Sequence, residues 1–331
     1  MEKNKRTKGE DSAKKSNHQT IDKTAKKLMH FPDPVIVDFI NALFSYDFPL
    51  DSKVSYINND YQGNHFDELR ADVMLRIRGE KDGKPFDVKF HAEVQSENDK
   101  TMALRVFQYS YMQALDDVKI SKNGSLIELP LAEPKILYVD KTRNTPKKAT
   151  VRIVVQSKKP KHFDYTVDAL CVTDYTPKEL SDNHFFLLLP LYIAKYRKRV
   201  AREVKSGRGV SEKTKNELKN LLNEICNLAN EHKDLLGRDG VLNLIEYTNS
   251  LYDNLYDKVP ELREVKSMTL VEKVLRDPHA KWAAEGETRG VVKGLLLAKN
   301  ILRLNNQGYN AQEISEQLNI PVSDINAILE N

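Results

Sequence analysis

The segment Ala71–Gln95 carries the clearest alternation in the chain. Val73, Leu75 and Ile77 alternate with Asp72, Met74 and Arg76. After a polar break, Phe86, Val88, Phe90, Ala92 and Val94 alternate with Asp87, Lys89, His91, Glu93 and Gln95. Period-two alternation marks half-buried strands, and Asp82-Gly83 supplies turn chemistry between them, so the stretch predicts a β-hairpin. Helical spacing takes over on either side. Ile36, Phe39, Ile40 and Leu43 form an apolar stripe within Phe31–Phe48, with Asp33 as N-cap and Pro34 in the first turn. Lys100–Asp117 predicts a helix in which Thr101, Arg105, Gln108 and Met112 share a stripe. Strands are expected at Lys53–Asn58, Asp67–Arg78, Lys135–Val139, Thr150–Val155 and Tyr165–Val172. A strand, helix, strand order after the hairpin fits a crossover unit in a mixed sheet.

From Thr176 onward the pattern is helical. Phe185–Val204 starts apolar and ends basic, Ser206-Gly-Arg-Gly209 interrupts it, and Ser211 can cap a new start. Lys213–Glu231, Val241–Leu255 and Glu261–Leu275 have apolar stripes that suit packing or oligomerisation. Gly286, Gly290 and Gly294 fall on one helical face and predict a bent or close-packed linker helix. Asn310 with Glu313, then Ser323, can cap two short helices joined at Pro321. That is a helix-turn-helix shape, but residues 319–331 carry no Arg or Lys to meet DNA, so a docking or dimer-forming unit fits better.

The 331 residues and 40% apolar content allow one large domain with appendages or two modest ones. The pattern divides the chain into a disordered, lysine-rich tail (1–27), a domain holding the hairpin (28–205), a helical region (206–280) and a linker helix with the terminal helix pair (281–331). The tail is either a solvated segment or an arm adding affinity for phosphates. A net charge of +4 decides nothing alone, but Lys195, Arg197, Lys198 and Arg199, followed by Arg202 and Lys205, form the densest basic cluster. It reads as a phosphate-tracking patch or as a solvated helix face. Cys171 and Cys226 form no CxxC pair, and reduced cytosolic thiols are the default. The longest apolar run, Phe185–Ala194, contains Pro190 and is too short to span a bilayer, and no apolar stretch follows the charges at the N-terminus. The expected setting is therefore the cytoplasm, without a membrane.

A hairpin can bring Asp72 close to Glu93 and Gln95, joining two carboxylates and an amide at one end of a sheet. Hard oxygen ligands suit Mg²⁺ or Mn²⁺ rather than zinc. The plain alternative is that these residues are the solvent face of an antiparallel sheet. Glu68 shares the parity of Asp72, and Asp38 lies off the centre of the first helical stripe; both are weaker candidates. Arg105 suits a phosphate, because guanidinium is a rigid fork of donors, or else a salt bridge to a sheet carboxylate.

Asp72, twenty residues, then Glu93-Val94-Gln95 resembles the signature of the PD-(D/E)xK nuclease superfamily. The match is closer to its Rpn-type (recombination-promoting nuclease, transposase-like) branch, where Glu-x-Gln commonly replaces Glu-x-Lys. Arg105-Val-Phe-Gln-Tyr109 is similar to that family's Arg-xxx-Tyr, and His184-Phe-Phe-Leu-Leu-Leu-Pro190-Leu resembles its apolar stretch ending in Leu-Pro. The resemblance spans roughly residues 31–199. It implies an α/β fold with a restriction-endonuclease-like mixed β-sheet core flanked by helices and followed by a helical C-terminal region. It also implies Mg²⁺-dependent DNA cleavage linked to recombination or mobile elements. Asp72, Glu93 and the Val94 carbonyl would hold the metal, Gln95 would position water, and Arg105 and Tyr109 would lie near phosphate. A helix before the hairpin often donates another acid in this superfamily, which makes Asp38 a candidate. His91, on the strand face of Glu93, is a candidate helper in proton transfer.

Overall fold

The structure is a computed structural model describing residues 20–57, 60–61, 69–70, 73–96, 99–267 and 269, with 304, 312–314 and 325 beyond them. The chain forms two compact units, 1–273 and 274–331. Of the second unit, Leu304, Ile314 and Ile325 are buried helical residues. The glycine repeat and most of the terminal helix pair lie outside the described residues. The first unit runs through residue 205, where the sequence pattern placed a boundary.

Its centre is a six-stranded mixed sheet. The strands are β1 (Lys53–Tyr56), β4 (Val73–Lys81), β5 (Lys84–Gln95), β8 (Glu133–Tyr138), β9 (Lys148–Val155) and β10 (Lys161–Cys171), in the spatial order β1-β4-β5-β8-β10-β9. Two short pairs stand apart: β2 (Asp60–Tyr61) with β3 (Leu69–Arg70), and β6 (Lys119–Ile120) with β7 (Ile127–Glu128). The expected hairpin is β4–β5, in register from Val73 opposite Ala92 to Lys81 opposite Lys84. Asp82 and Gly83 both have left-handed backbone (φ 53° and 71°), the geometry that lets a two-residue loop follow the strand twist. Strand β5 then pairs in parallel with β8, and β8 in parallel with β10, while β9 closes the far edge antiparallel to β10.

Parallel neighbours need a crossover, and helix α3 (Met102–Leu115) supplies it between β5 and β8. Its Met102, Ala103 and Val106 are buried against Ile136, Tyr138 and Val167 of the sheet. Helix α2 (Asp33–Phe44) covers the other face, with Phe44 and Phe90 ring centroids 4.7 Å apart. Pro32, not Asp33, is its N-cap; Asp33 instead accepts a hydrogen bond from the Val54 amide. Ahead of it stands helix α1, residues 20–28, with Ile21, Ala25 and Leu28 fully buried. Residues 20–27, expected to belong to a disordered tail, are therefore helical. Buried positions spaced i, i+4, i+7 explain why so lysine-rich a stretch folds.

After β10 come α4 (Pro177–Asp182), a 3₁₀ stretch at Phe186–Tyr196, and α5 (Arg197–Lys205). Phe186–Ala194 is buried throughout, and Pro190 lacks the amide an α-helix would need, which accounts for the tighter turns. Helices α6 (Glu212–Glu231), α7 (Lys233–Tyr256) and α8 (Pro260–Ser267) follow. Ser211 caps α6 as expected, accepting from the Thr214 amide at 3.3 Å. The apolar stripes of α6 and α7, read as oligomerisation candidates, are buried within the chain, and α6 and α7 both pack on the 3₁₀ stretch. The Tyr256 hydroxyl donates to the Ile193 carbonyl at 2.7 Å there. No helix among the described residues is long and apolar enough to cross a membrane.

Candidate active site

Alternation along β5 gives it two faces, and both are covered. Phe90, Ala92 and Val94 turn to one side, where α2 lies against Phe90; Lys89, His91 and Glu93 turn to the other, toward α3. The polar face is therefore not a solvent face. Each of its side chains meets a polar group on α3 or just beyond it, in reverse order along that helix. Lys89 Nζ pairs with Asp117, His91 Nδ1 lies 3.2 Å from Ser110 Oγ, and Arg105 Nη2 donates to Glu93 Oε1 at 3.5 Å. His91 Nε2 also sits 3.3 Å from Glu93 Oε2. Burying these groups unpaired would cost several kcal/mol each, so the pairing is what lets the helix lie on them.

Glu93 is 1% exposed, and His91 and Ser110 are fully buried. Arg105 reaches Glu93 from the rim, its side chain 37% exposed. It also donates to Asp99 at 3.4 Å and to the Tyr109 hydroxyl at 3.3 Å. Asp99 is fixed in turn by the Thr101 amide and hydroxyl, at 2.8 and 2.7 Å. Burial pushes the Asp99 carboxyl upward, but those hydrogen bonds and the Arg105 charge outweigh it and hold the group below the usual range. Of the two readings of Arg105, the salt bridge to a sheet carboxylate is present, and its side chain remains partly exposed.

Asp22 on α1 is a member the sequence reading missed. Burial, reinforced by the charge of Glu93, pushes its carboxyl up to about 6, against the opposing pull of Lys26 and Arg105. The charge of Glu93 thus adds to the cost of ionising Asp22 in this half-buried setting.

Asp72 and Glu68 lie outside the described residues. Asp72 directly precedes Val73, whose cross-strand partner Ala92 directly precedes Glu93. Gln95 closes β5 opposite Tyr138, half-buried, and its carbonyl accepts from the Val139 amide at 2.8 Å. Val94, whose carbonyl was the third expected ligand, has its side chain in the apolar core. Asp38 does not join this group; its Oδ2 meets His184 Nδ1 at 2.9 Å. Among the described residues, no group of three or more His, Cys, Asp or Glu is arranged to hold a metal ion.

The basic cluster is largely committed elsewhere. Arg197 donates to the Ser96 carbonyl, Lys198 pairs with Asp140 at 2.8 Å, Arg199 pairs with Glu217 at 2.6 Å, and Lys195 donates to the Tyr192 hydroxyl at 2.9 Å. Arg197, Lys198 and Arg199 thus tie α5 to the ends of β5 and β8 and to α6, while Lys198 and Arg199 stay partly exposed. A cleft of about 420 Å³ opens elsewhere, with Arg76, Asp87, Lys89 and Asp117 in its lining. Those four charges are already paired with one another.

No family model, no curated protein and no solved structure matches this chain.

Proposed function

We propose that the chain is a metal-dependent DNA endonuclease with a restriction-endonuclease-like core, of the Rpn-type branch of the PD-(D/E)xK nucleases and linked to recombination or mobile elements. The observation that carries this reading is Glu93: a carboxylate buried near the end of a central strand, held by an arginine, with a second acid, Asp22, close enough to feel its charge. Asp72, Glu93 and the Val94 carbonyl would hold Mg²⁺ or Mn²⁺, with Asp22 adding negative charge at the rim. Bound there, the cation would polarise the scissile phosphate and acidify a water. Gln95, two residues along the same strand face, offers a donor and an acceptor to orient that water, but no charge. Arg105 is exposed enough to meet a phosphate while its other donors stay on Glu93 and Asp99.

The test is incubation of the purified chain with plasmid DNA, with and without Mg²⁺, beside Asp72→Ala and Glu93→Ala. Mg²⁺-dependent nicking lost in both variants supports the reading; nicking undiminished in both removes it.

A second reading, a module that keeps the fold for protein interaction without cleavage, is favoured by the β6–β7 arm. Ile120, Leu126 and Ile127 are 57–63% exposed there, an apolar display that monomeric surfaces seldom carry. Absence of nicking in Mg²⁺ and Mn²⁺ alike selects this reading.

A further inference from the structure

His91 was expected to help in proton transfer, yet it is fully buried and both its ring nitrogens have partners. Four side chains from three elements line up through it. The Tyr165 hydroxyl of β10 donates to Ser110 Oγ at 3.3 Å. Among the described residues, the only other side-chain partner of Ser110 Oγ is His91 Nδ1, at 3.2 Å. A hydroxyl that receives one proton has its own to give, so Ser110 donates to Nδ1. The ring proton then sits on Nε2, 3.3 Å from Glu93 Oε2, and a carboxylate can only accept. The Tyr109 ring, tilted against the imidazole with centroids 5.8 Å apart, closes its flank.

Every donor in this line points the same way, from Tyr165 through Ser110 and His91 to Glu93. We propose that His91 is the positioning residue of Glu93, locked by Ser110 as the Nε2–H tautomer so that it fixes the carboxylate's rotamer and fills one lone pair of Oε2. With Arg105 on Oε1, the carboxylate is held at both oxygens. The role given to Glu93 rests on the nuclease reading; the direction of the hydrogen bonds does not.

The experiment measures Mn²⁺ binding to the full-length chain by electron paramagnetic resonance, with thermal unfolding as the control for folding. Glu93→Gln should lose Mn²⁺ binding. His91→Phe, which keeps a ring but no donor, should weaken it about 10–100-fold. His91→Gln restores an N–H toward Glu93 and should recover most of that loss, which a purely structural role would not allow. Ser110→Ala deletes one hydroxyl and keeps the test available if His91→Phe unfolds; it should weaken binding several-fold. In ¹⁵N-histidine spectra the parent should show the Nε2–H form and Ser110→Ala a mixture of tautomers. An Nδ1–H form in the parent overturns the proposal. So does unchanged Mn²⁺ affinity in His91→Phe and Ser110→Ala while Glu93→Gln loses it. If Glu93→Gln binds Mn²⁺ as tightly as the parent, the nuclease reading falls together with the metal role of His91.

Discussion

Strand β5 is buried on both faces, but by opposite means. On one face Phe90, Ala92 and Val94 are excluded from water because their own surface is apolar, and Phe90 lies against α2. On the other, Lys89, His91 and Glu93 are excluded only because α3 and the residues just after it answer each with a complementary group. The apolar face tolerates any filling of similar volume, whereas the polar face fails if one partner goes missing. Keeping a carboxylate at 1% exposure at such risk makes sense where its chemistry is needed.

The largest test of that contrast sets Glu93→Ala against Phe90→Ala. Glu93→Ala should bring Mg²⁺-dependent cleavage to background, about 10³-fold or more, equivalent to about 4 kcal/mol of lost transition-state stabilisation. It should cost less stability than Phe90→Ala: leaving His91 Nε2 without its partner costs about 1–3 kcal/mol, whereas the cavity at Phe90 costs about 3–5 kcal/mol in denaturant unfolding. If Glu93→Ala is the less stable of the two, the polar face is a folding element first, and the division of labour is wrong.

Gln95→Ala comes next. Loss of a water-orienting amide should slow cleavage about 10²-fold, and Gln95→Lys should retain part of the activity. A Gln95→Ala variant that cleaves as fast as the parent puts Gln95 outside the site.

Asp22 supplies a pH test without DNA. Its carboxyl holds a proton up to about 6 in the folded chain, against 3.8 as the ordinary value. The folded state therefore binds more protons across that window, and stability should fall as pH rises from about 4 to 6. Asp22→Asn should flatten this decline and, in chelator at pH 7, raise stability by about 1–2 kcal/mol after allowance for partial solvent screening. A parallel decline in the variant means Asp22 is not the group that feels Glu93.

The smallest effect is expected away from both faces. Lys198→Gln and Arg199→Gln should each cost no more than about 1 kcal/mol, as half-exposed ion pairs do. They should barely change the slope of DNA affinity against salt, because Asp140 and Glu217 already balance those charges. A clearly flattened slope would return α5 to the role of a phosphate patch.

Much of this was legible in the sequence. The β4–β5 hairpin, its Asp82-Gly83 turn and the shared parity of His91, Glu93 and Gln95 follow from local alternation. What covers a strand does not. Period two separates two faces but cannot say that the polar one lies under a helix. The side of α3 that meets it was misread for a related reason: the stripe Thr101–Arg105–Gln108–Met112 was read from helical spacing alone, while Arg105, Tyr109, Ser110 and Gln113 face the sheet or one another. Asp22 was hidden by composition, since five lysines among residues 14–27 outweighed the spacing of Ile21, Ala25 and Leu28. Asp38 looked better by position along the chain, yet its partner His184 is distant in sequence and no local pattern announces it.

Strand β9 is bonded to β10 on one side only, so a row of its backbone amides and carbonyls faces outward at the sheet margin. Val154 and Val155, with Phe163 on the neighbouring strand, are each more than half exposed. Such a margin can recruit a strand from another molecule and grow into aggregate. Lysine stands at both ends, Lys147 before it and Lys148 at its first position, Lys158, Lys159 and Lys161 after it. Like charges brought together would oppose stacking of one copy on the next, which makes these lysines gatekeepers of solubility. The basic loop between β9 and β10 thus has a duty in a concentrated solution of this chain even where no nucleic acid is present.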